Sequence, residues 1–353
     1  VLNNAICKNE SGDNAYYYLG CLFYDRFAYE KATALWEKCI ALNPKHPKAF
    51  RNLALSYFDK KGDLLSAKEC MEIELANKPD DPRLILEYQQ ILRNMNYSPE
   101  HMLDFYDKYE NLMLLRDDCY LDKITLKCMV GEYKEAIDMA KHRRFHIYEG
   151  GEGKLTKQHA WMHVLYGNEL CRKGEFAEAE KIYKDGINMP KSYGEAKTFF
   201  NQEAHIYYYL GRLLESEGKA ASQAYAEAAV YKAAVSELSL FRALALRKLQ
   251  SFSEAKAVLD DMESAADNFI KNCDMRTYYG VGSPSPMPFE LDIVKNNLTD
   301  GYVLKAYALL GTGRFNDADE YIEKARKLKQ YDFRIYAYDN IKDSVKFDMH
   351  PKG

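Results

Sequence analysis

The sequence predicts an all-α fold, a right-handed α-α superhelix of about eight to nine stacked helix pairs. Two adjacent windows carry one residue pattern with a period of about 34 residues. The first window places its aromatic, apolar and small residues at Tyr16, Leu19, Gly20, Phe23, Ala32, Trp36 and Pro44. The second repeats the pattern, with one residue inserted near Gly62, at Phe50, Leu53, Ala54, Tyr57, Ala67, Met71 and Pro79. Apolar residues make up 47% of the 353 residues, enough for a continuous core between such helices.

The chemistry of these positions fits two antiparallel helices in each unit. Small residues such as Gly20 and Ala32 let the helices approach closely, and a large residue such as Trp36 fills the space beside them. A glycine after the first helix permits a left-handed C-cap, and proline ends the second helix. This is the tetratricopeptide pattern, so we expect a tetratricopeptide-like solenoid. The alternative is an unrelated all-helical bundle.

The pattern continues with drift along the rest of the chain. Later units are marked by Gly131, Gly174, Gly218, Phe252 and Gly313, each followed within several residues by an apolar, helical run. Residues 80–118 keep helical spacing without the small residues, which predicts a degenerate helix pair. We expect the residues after about Asp339 to form a fraying tail.

We expect one solenoid over residues 1–353, interrupted by loop insertions at 144–156 and 264–300. The second interruption contains three prolines within five residues, Pro284, Pro286 and Pro288, which exclude a helix there. Because the chain begins at Val1 rather than Met, we expect it to be a fragment of a longer protein.

Composition narrows the classes of partner. The net charge of −4 is spread along the chain, which argues against nucleic-acid binding. No apolar stretch reaches the roughly 18 residues that a membrane span needs. The eight cysteines form no Cys-x-x-Cys pair, which suggests a reducing compartment, and we expect a cytoplasmic location. We expect no cofactor and no metal.

The loop at 144–156 holds the sharpest candidate site. Three glycines within four residues, Gly150, Gly151 and Gly153, would together cost a helix about 3 kcal/mol relative to alanine. The candidate binding residues on this loop are Arg144, His146, Tyr148, Glu149 and Glu152. The two carboxylates could bind a ligand or a basic partner, or act as a paired acid and base. The alternative is a glycine turn whose carboxylates cap the next helix.

Other polar groups have weaker functional readings. His159 and His163 stand four residues apart, a zinc-binding spacing, but Ala160 replaces the glutamate of zinc proteases and a structural role is favoured. The clusters around Arg116 and Asp81 are explained by ion pairs and helix-start charges. Asn14 and Asn52 partly match the carboxylate clamp of peptide-binding co-chaperones, without its basic residues.

Beyond the repeat, four short sequence motifs resemble those of one bacterial family. They are Arg51-Asn52-Leu53, Arg116-Asp117-Asp118, the run from Arg144 to Gly153, and Tyr193 to Lys197. The resemblance covers nearly the whole chain and is to the C-terminal region of tetratricopeptide proteins that carry a domain of unknown function. In that family a β-rich domain similar to carbohydrate-processing β-sandwiches precedes the repeats. Where this chain has Ile147-Tyr148 the family has Pro-Trp, so the loop keeps an aromatic residue and loses the proline.

Taken together, these features favour a non-catalytic scaffold that docks a β-rich domain, its own or a partner's, or another partner chain. A second copy of the chain is a further candidate partner. The alternative is the accessory half of a carbohydrate-active enzyme, with the Glu149–Gly153 loop contributing to a glycan site. The residues leave open whether the longer protein is an enzyme and on which sugar it acts.

Overall fold

The fold is all-α, as predicted. The computed structural model describes residues 12–146, 151, 153–194, 203–231, 234–275, 289 and 292–349, and these residues form helices and no strand. The helices of the first half are α1 Asp13–Asp25, α2 Tyr29–Leu42, α3 Ala49–Ser56, α4 Leu64–Asn77, α5 Pro82–Asn94, α6 Pro99–Lys108, α7 Glu110–Met113, α8 Asp117–Met129 and α9 Tyr133–His142. Those of the second half are α10 Lys154–Lys173, α11 Phe176–Ile187, α12 Ala204–Ser216, α13 Ser222–Ala229, α14 Ser239–Lys248, α15 Phe252–Lys271, α16 Ile293–Thr312, α17 Phe315–Leu328 and α18 Phe333–Met349.

A left-handed residue separates the two helices of each pair and sets the register. In order, these residues are Phe27, Gly62, Asn96, Gly131, Gly174, Gly218, Gln250 and Gly313, with φ between 58° and 83°. Each follows the first helix of a pair, where a left-handed residue lets the chain reverse. Asn96 supplies this turn in the pair that the sequence marked as degenerate, which shows that the register persists there without glycine.

Close helix crossings confirm the predicted pairing of small and large residues. A Cβ atom added to Gly20 would lie 2.5 Å from Nε1 of the Trp36 indole. The same test places a Cβ at Gly167 within 2.3 Å of the Tyr183 ring and one at Gly211 within 2.7 Å of the Tyr225 ring. Any side chain at these positions would push the aromatic ring away, so glycine fixes the distance between the paired helices. This repeated geometry is that of a tetratricopeptide-like helix pair.

The residue inserted near Gly62 is accommodated as a π turn. Residues Tyr57–Lys61 continue α3 with wider π-helical geometry, and the turn closes at Gly62, where φ is +63°. A π turn holds one extra residue without breaking the helix. The insertion therefore leaves the helix pair intact and changes only the end of α3.

The chain packs as two compact units. Unit 1 contains Val1–Tyr120 and Pro286–Asp292, and unit 2 contains Leu121–Ser285 and Ile293–Gly353. In unit 1 the core around Ala32, Trp36 and Leu53 joins the first two helix pairs. In unit 2 the fully buried side chains include Trp161, Tyr183, Tyr208, Phe241 and Tyr307. That both belong to one continuous solenoid stays a prediction.

Two sequence-based boundaries need correction. Helix α15 continues to Lys271 and α16 begins at Ile293, so the loop expected at 264–300 is shorter than predicted. The reason is packing, because Ala266 and Ile270 contact α16 at Gly301. Likewise α10 begins at Lys154, inside the loop expected at 144–156.

The expected fraying tail after Asp339 is wrong. Helix α18 runs to Met349, and Ile341 and Val345 are fully buried. These side chains repeat at helical spacing with Ile335 and Tyr338, which gives the C-terminal segment an apolar face that packs on unit 2.

Candidate functional site

The predicted loop site is only partly within the described residues. Arg144 and His146 follow α9 and are exposed. Tyr148, Glu149 and Glu152 lie outside the described residues, so the role of the two carboxylates in binding or acid–base chemistry stays a prediction. Gly151 and Gly153 lead into α10, where the carbonyl of Gly153 accepts hydrogen bonds from the Lys157 amide and the Thr156 hydroxyl.

Phe145 anchors the segment that presents Arg144 and His146. Its side chain is 6% exposed, and its ring meets the Tyr193 ring edge-on at 5.7 Å between centroids. The Phe145 amide donates to the carbonyl of Ser192 at 2.9 Å. With Phe145 buried against Tyr193, the residues on either side of it, Arg144 and His146, are exposed.

The two histidines of the zinc-like spacing are buried structural groups. Nδ1 of His159 lies 2.9 Å from the Tyr193 hydroxyl, and Nδ1 of His163 donates to the carbonyl of His159 at 2.7 Å. Burial lowers the pKa of His159 to about 2 and that of His163 to about 4. Among the described residues, no group of three or more His, Cys, Asp or Glu side chains is arranged to hold a metal ion.

The other clusters noted in the sequence are held by local contacts. Arg116 pairs with Asp118 at 2.5 Å, and the Asp81 carboxylate accepts from the amide of Arg83 at the start of α5. Of the partial clamp residues, Asn52 donates to the Tyr17 hydroxyl at 3.3 Å, and Asn14 is exposed with its side-chain oxygen 3.4 Å from Nε2 of His46.

The sequence did not predict a second candidate site, which lies in unit 2 on the first helices of successive helix pairs. Trp161 of α10, His205 of α12 and Phe241 of α14 form a buried aromatic row, with ring centroids 4.5 Å apart for Trp161 and His205 and 5.6 Å for His205 and Phe241. Helix α18 covers one side of α10, α12 and α16, and we call this side the inner face of unit 2. Within the described residues, neither nitrogen of His205 has a hydrogen-bond partner.

Helix α18 lies on this inner face. Phe333 contacts Trp161 edge-on at 6.2 Å between ring centroids, and the Tyr336 hydroxyl bonds the Tyr133 hydroxyl of α9. Near the other end of α18, the Ser344 hydroxyl lies 2.9 Å from that of Tyr209 in α12. In a plain stack a helix contacts only its neighbours. Contacts with α9, α10 and α12, many helices earlier, show that α18 crosses the inner face.

A buried ion pair holds the end of α18. Arg212 of α12 donates twice to the Asp348 carboxylate, at 2.6 and 3.1 Å, and the Tyr208 hydroxyl donates to the same group. The Asp348 side chain is 8% exposed. Despite its burial, which acts in the opposite sense, the charge of Asp348 raises the pKa of Arg212. A two-pronged pair of this kind fixes position as well as charge.

The start of α18 is also fixed by charge. The carboxylate of Asp332 accepts from the amide and side chain of Arg334, and Arg334 pairs with Asp300 of α16 at 2.7 Å. On its other side α18 meets α17, where the Tyr338 hydroxyl donates to Asp319 and Arg326 pairs with Asp339. Helix α18 therefore continues the stack and covers the inner face at the same time.

Acid should destabilise unit 2 through its buried histidines. Burial lowers the pKa of His205 to about 3, with Lys157 adding to the effect and Glu237 opposing it. In the unfolded chain a histidine has a pKa of about 6.5, so on acidification it binds its proton before the folded His205 does. The free energy of unfolding is therefore retained above about pH 6.5 and falls as the pH is lowered toward 3.

Between pH 7 and 4.5, we expect His205→Phe to lose about 2 to 3 kcal/mol less of its free energy of unfolding than the wild type loses. Urea unfolding at the two pH values tests this, with the exposed His142→Gln as control. An equal loss in wild type and His205→Phe would show that His205 is not responsible.

None of the helices of the described residues is long and apolar enough to cross a lipid bilayer. The seven cysteines of the described residues, of which Cys39, Cys119 and Cys128 are buried, are free thiols.

Comparison with known proteins shows similarity to repeat proteins. No family model matches the chain. A tetratricopeptide repeat protein from Parabacteroides merdae is 13% identical, with a TM-score of 0.45 over 97% of this chain and 100% of that one. YrrB, a TPR protein with an unusual peptide-binding site, is 17% identical, with a TM-score of 0.39 over 55% and 93% of the two chains. PilW, a type IV pilus biogenesis factor, is 19% identical, with a TM-score of 0.34 over 62% and 90%. With every score below 0.5, the fold assignment rests on the helix-pair geometry of this chain itself.

Proposed function

We propose that this chain is a protein-interaction scaffold and that the inner face of unit 2 is a receptor for a helix. The observation that supports this proposal most strongly is the packing of α18, which crosses α10 and α12 instead of contacting α17 alone. An inner face that accepts one amphipathic helix has the shape and chemistry to accept another.

Three contacts define what such a helix carries. An aromatic residue meets Trp161, a hydroxyl meets Tyr209, and a carboxylate meets Arg212. On α18 the hydroxyl and the carboxylate stand four residues apart, at Ser344 and Asp348, so both lie on one helix face. The partner we propose is therefore a helix with one aromatic end and one acidic end.

We propose a separate docking edge for a folded domain on unit 1. Tyr18 and Leu22 stand four residues apart on α1 and are 58% and 38% exposed. Side chains with this spacing share one helix face, so they form an apolar ridge. We propose this ridge as the place where a β-rich domain docks, the partner that the family resemblance implies.

The helix-receptor proposal is tested by freeing α18 from its tether. A protease site inserted between Lys329 and Gln330 of the full chain allows the C-terminal segment to be cut and exchanged. We expect a fluorescent peptide of residues 330–353 to bind the cut chain with a Kd on the order of micromolar or tighter. A peptide with Asp348→Ala should bind on the order of 10- to 100-fold more weakly.

The matched control is a peptide with Asp343→Ala, which removes an exposed carboxylate from the same helix. Equal affinity of the Asp348 and Asp343 peptides, or no binding to a cut chain that remains folded, would refute the receptor proposal.

A second candidate function is supported by the exposure of Arg144 and His146 on either side of the buried Phe145. We propose that these residues, with Tyr148, Glu149 and Glu152, contact a glycan or a partner beside it. Arg144→Ala and the pair Glu149→Gln with Glu152→Gln should each weaken binding of the protein to an oligosaccharide array. Binding and any glycan activity unchanged in both variants would exclude this role.

A further inference from the structure

Unit 1 buries a residue that comes from far along the chain. Phe289 lies between α15 and α16 in sequence, yet it packs in unit 1 and is fully buried. Its ring meets the Phe58 ring edge-on, with centroids 5.4 Å apart and planes at 85°. This arrangement is a favoured one for two aromatic rings. Phe58 thus provides a specific seat for an aromatic side chain.

The seat depends on the residue inserted into the second repeat. Phe58 belongs to the π turn Tyr57–Lys61 at the end of α3. Turns of this kind shift the side chains that follow relative to a regular helix and are frequent at functional sites. The π turn Tyr57–Lys61 therefore carries the ring that Phe289 packs against.

Helix α5 supplies hydrogen-bonding groups for a main chain at the same place. The Asn94 side-chain amide donates to the carbonyl of Phe289 at 3.1 Å and to the carbonyl of Gln90 at 2.9 Å. One turn earlier, the side-chain oxygen of Gln90 is buried and has no hydrogen-bond partner within the described residues. A buried acceptor without a partner is destabilising, so a donor that bonds to it removes that penalty.

The charges beside this place are already paired. Glu87 lies on the same face of α5 and is bound by Arg51 at 2.6 Å and Arg83 at 2.8 Å. Residues 87, 90 and 94 are spaced three and four apart, so they form one row along the helix. A segment lying on this row meets a neutralised carboxylate, a free acceptor and a donor, which together suit peptide groups better than charged side chains.

We propose that Phe58, Gln90 and Asn94 form a binding site for a peptide segment that carries an aromatic residue, and that Phe289 is its resident ligand. The aromatic ring packs against Phe58 and the carbonyl of the same residue accepts from Asn94. The side-chain oxygen of Gln90, which has no partner with Phe289 in place, is an acceptor for a donor that a partner segment brings. A partner segment of the same chemistry competes with Phe289 for this site. The site is independent of the inner face of unit 2.

The test uses the full chain with its resident side chain removed. A fluorescent peptide of residues 284–292 should bind the Phe289→Ala chain at least 10-fold more tightly than it binds the wild-type chain. Its counterpart with Phe289→Ala in the peptide should show no binding. Adding Asn94→Ala to the Phe289→Ala chain should weaken peptide binding at least 10-fold, whereas Gln90→Met should leave it unchanged, because the Gln90 side-chain oxygen has no partner when Phe289 is in place.

One control variant separates the outcomes. Phe252→Ala removes an exposed ring in unit 2 and should leave the peptide affinity at the wild-type value. A folded Phe289→Ala chain that fails to bind the peptide, or that binds both peptides equally, overturns the proposal. If Phe289→Ala unfolds unit 1, Phe289→Leu is used, and equal affinity for the two peptides overturns the proposal there as well.

Discussion

Asp348→Ala is expected to lower the free energy of unfolding by about 3 kcal/mol, because it leaves the partly buried Arg212 without its counter-charge. The two guanidinium bonds at 2.6 and 3.1 Å and the bond from Tyr208 are lost together. For a unit of this size the expected fall in Tm is roughly 6 to 12 °C. Thermal unfolding followed by circular dichroism measures it.

The control for this prediction is Asp343→Ala on the same helix. That carboxylate is exposed, so its removal should change the stability by less than about 0.5 kcal/mol. Equal Tm values for the two variants would mean that Asp348 does not hold α18 in place.

Trp36→Ala is expected to cost about 3 to 5 kcal/mol in unit 1. The indole is 2% exposed, it fills the space above Gly20, and its Nε1 donates to the carbonyl of Tyr17 at 3.1 Å. Its loss leaves a cavity between the first two helix pairs. The exposed Leu65→Ala is the matched control, since Leu65 is 60% exposed on α4. A Tm change of under about one degree for Trp36→Ala would contradict the register drawn from the repeat.

Local sequence pattern was sufficient for the helix pairs. The small residue at Gly20 and the large one at Trp36 predicted a close crossing, and the structure has that crossing. The sequence also located the residue inserted near Gly62, and the structure accommodates it as a π turn. Such features depend on residues near in sequence, which explains why periodicity finds them.

Local sequence pattern could not predict the inner face of unit 2 or the Phe289 site, because their contacts join residues far apart in the sequence. The contact between Arg212 and Asp348 joins residues 136 apart, and that between Asn94 and Phe289 joins residues 195 apart. Periodicity carries no information about such pairs. The apolar spacing of Ile335, Tyr338, Ile341 and Val345 was nevertheless a signal that the C-terminal segment is helical, and the many charges between them hid it.

The loop at 144–156 shows how far composition can go. Its glycines predicted a loop, and α10 begins directly after Gly153. Two of its five candidate residues, Arg144 and His146, are exposed. Phe145 between them is buried against Tyr193, which lies in a later turn. The choice among glycine turn, partner contact and glycan contact depends on the remaining three residues.

The central claim is that α18 occupies the inner face of unit 2 as a bound helix. A double-mutant cycle in the intact chain tests it directly, with Arg212→Ala, Asp348→Ala and the double variant compared by urea unfolding. We predict a coupling free energy of at least about 1.5 kcal/mol, because each single change strands the other charge. Additive effects, with a coupling below about 0.5 kcal/mol, would show that the two residues do not meet and would contradict the account.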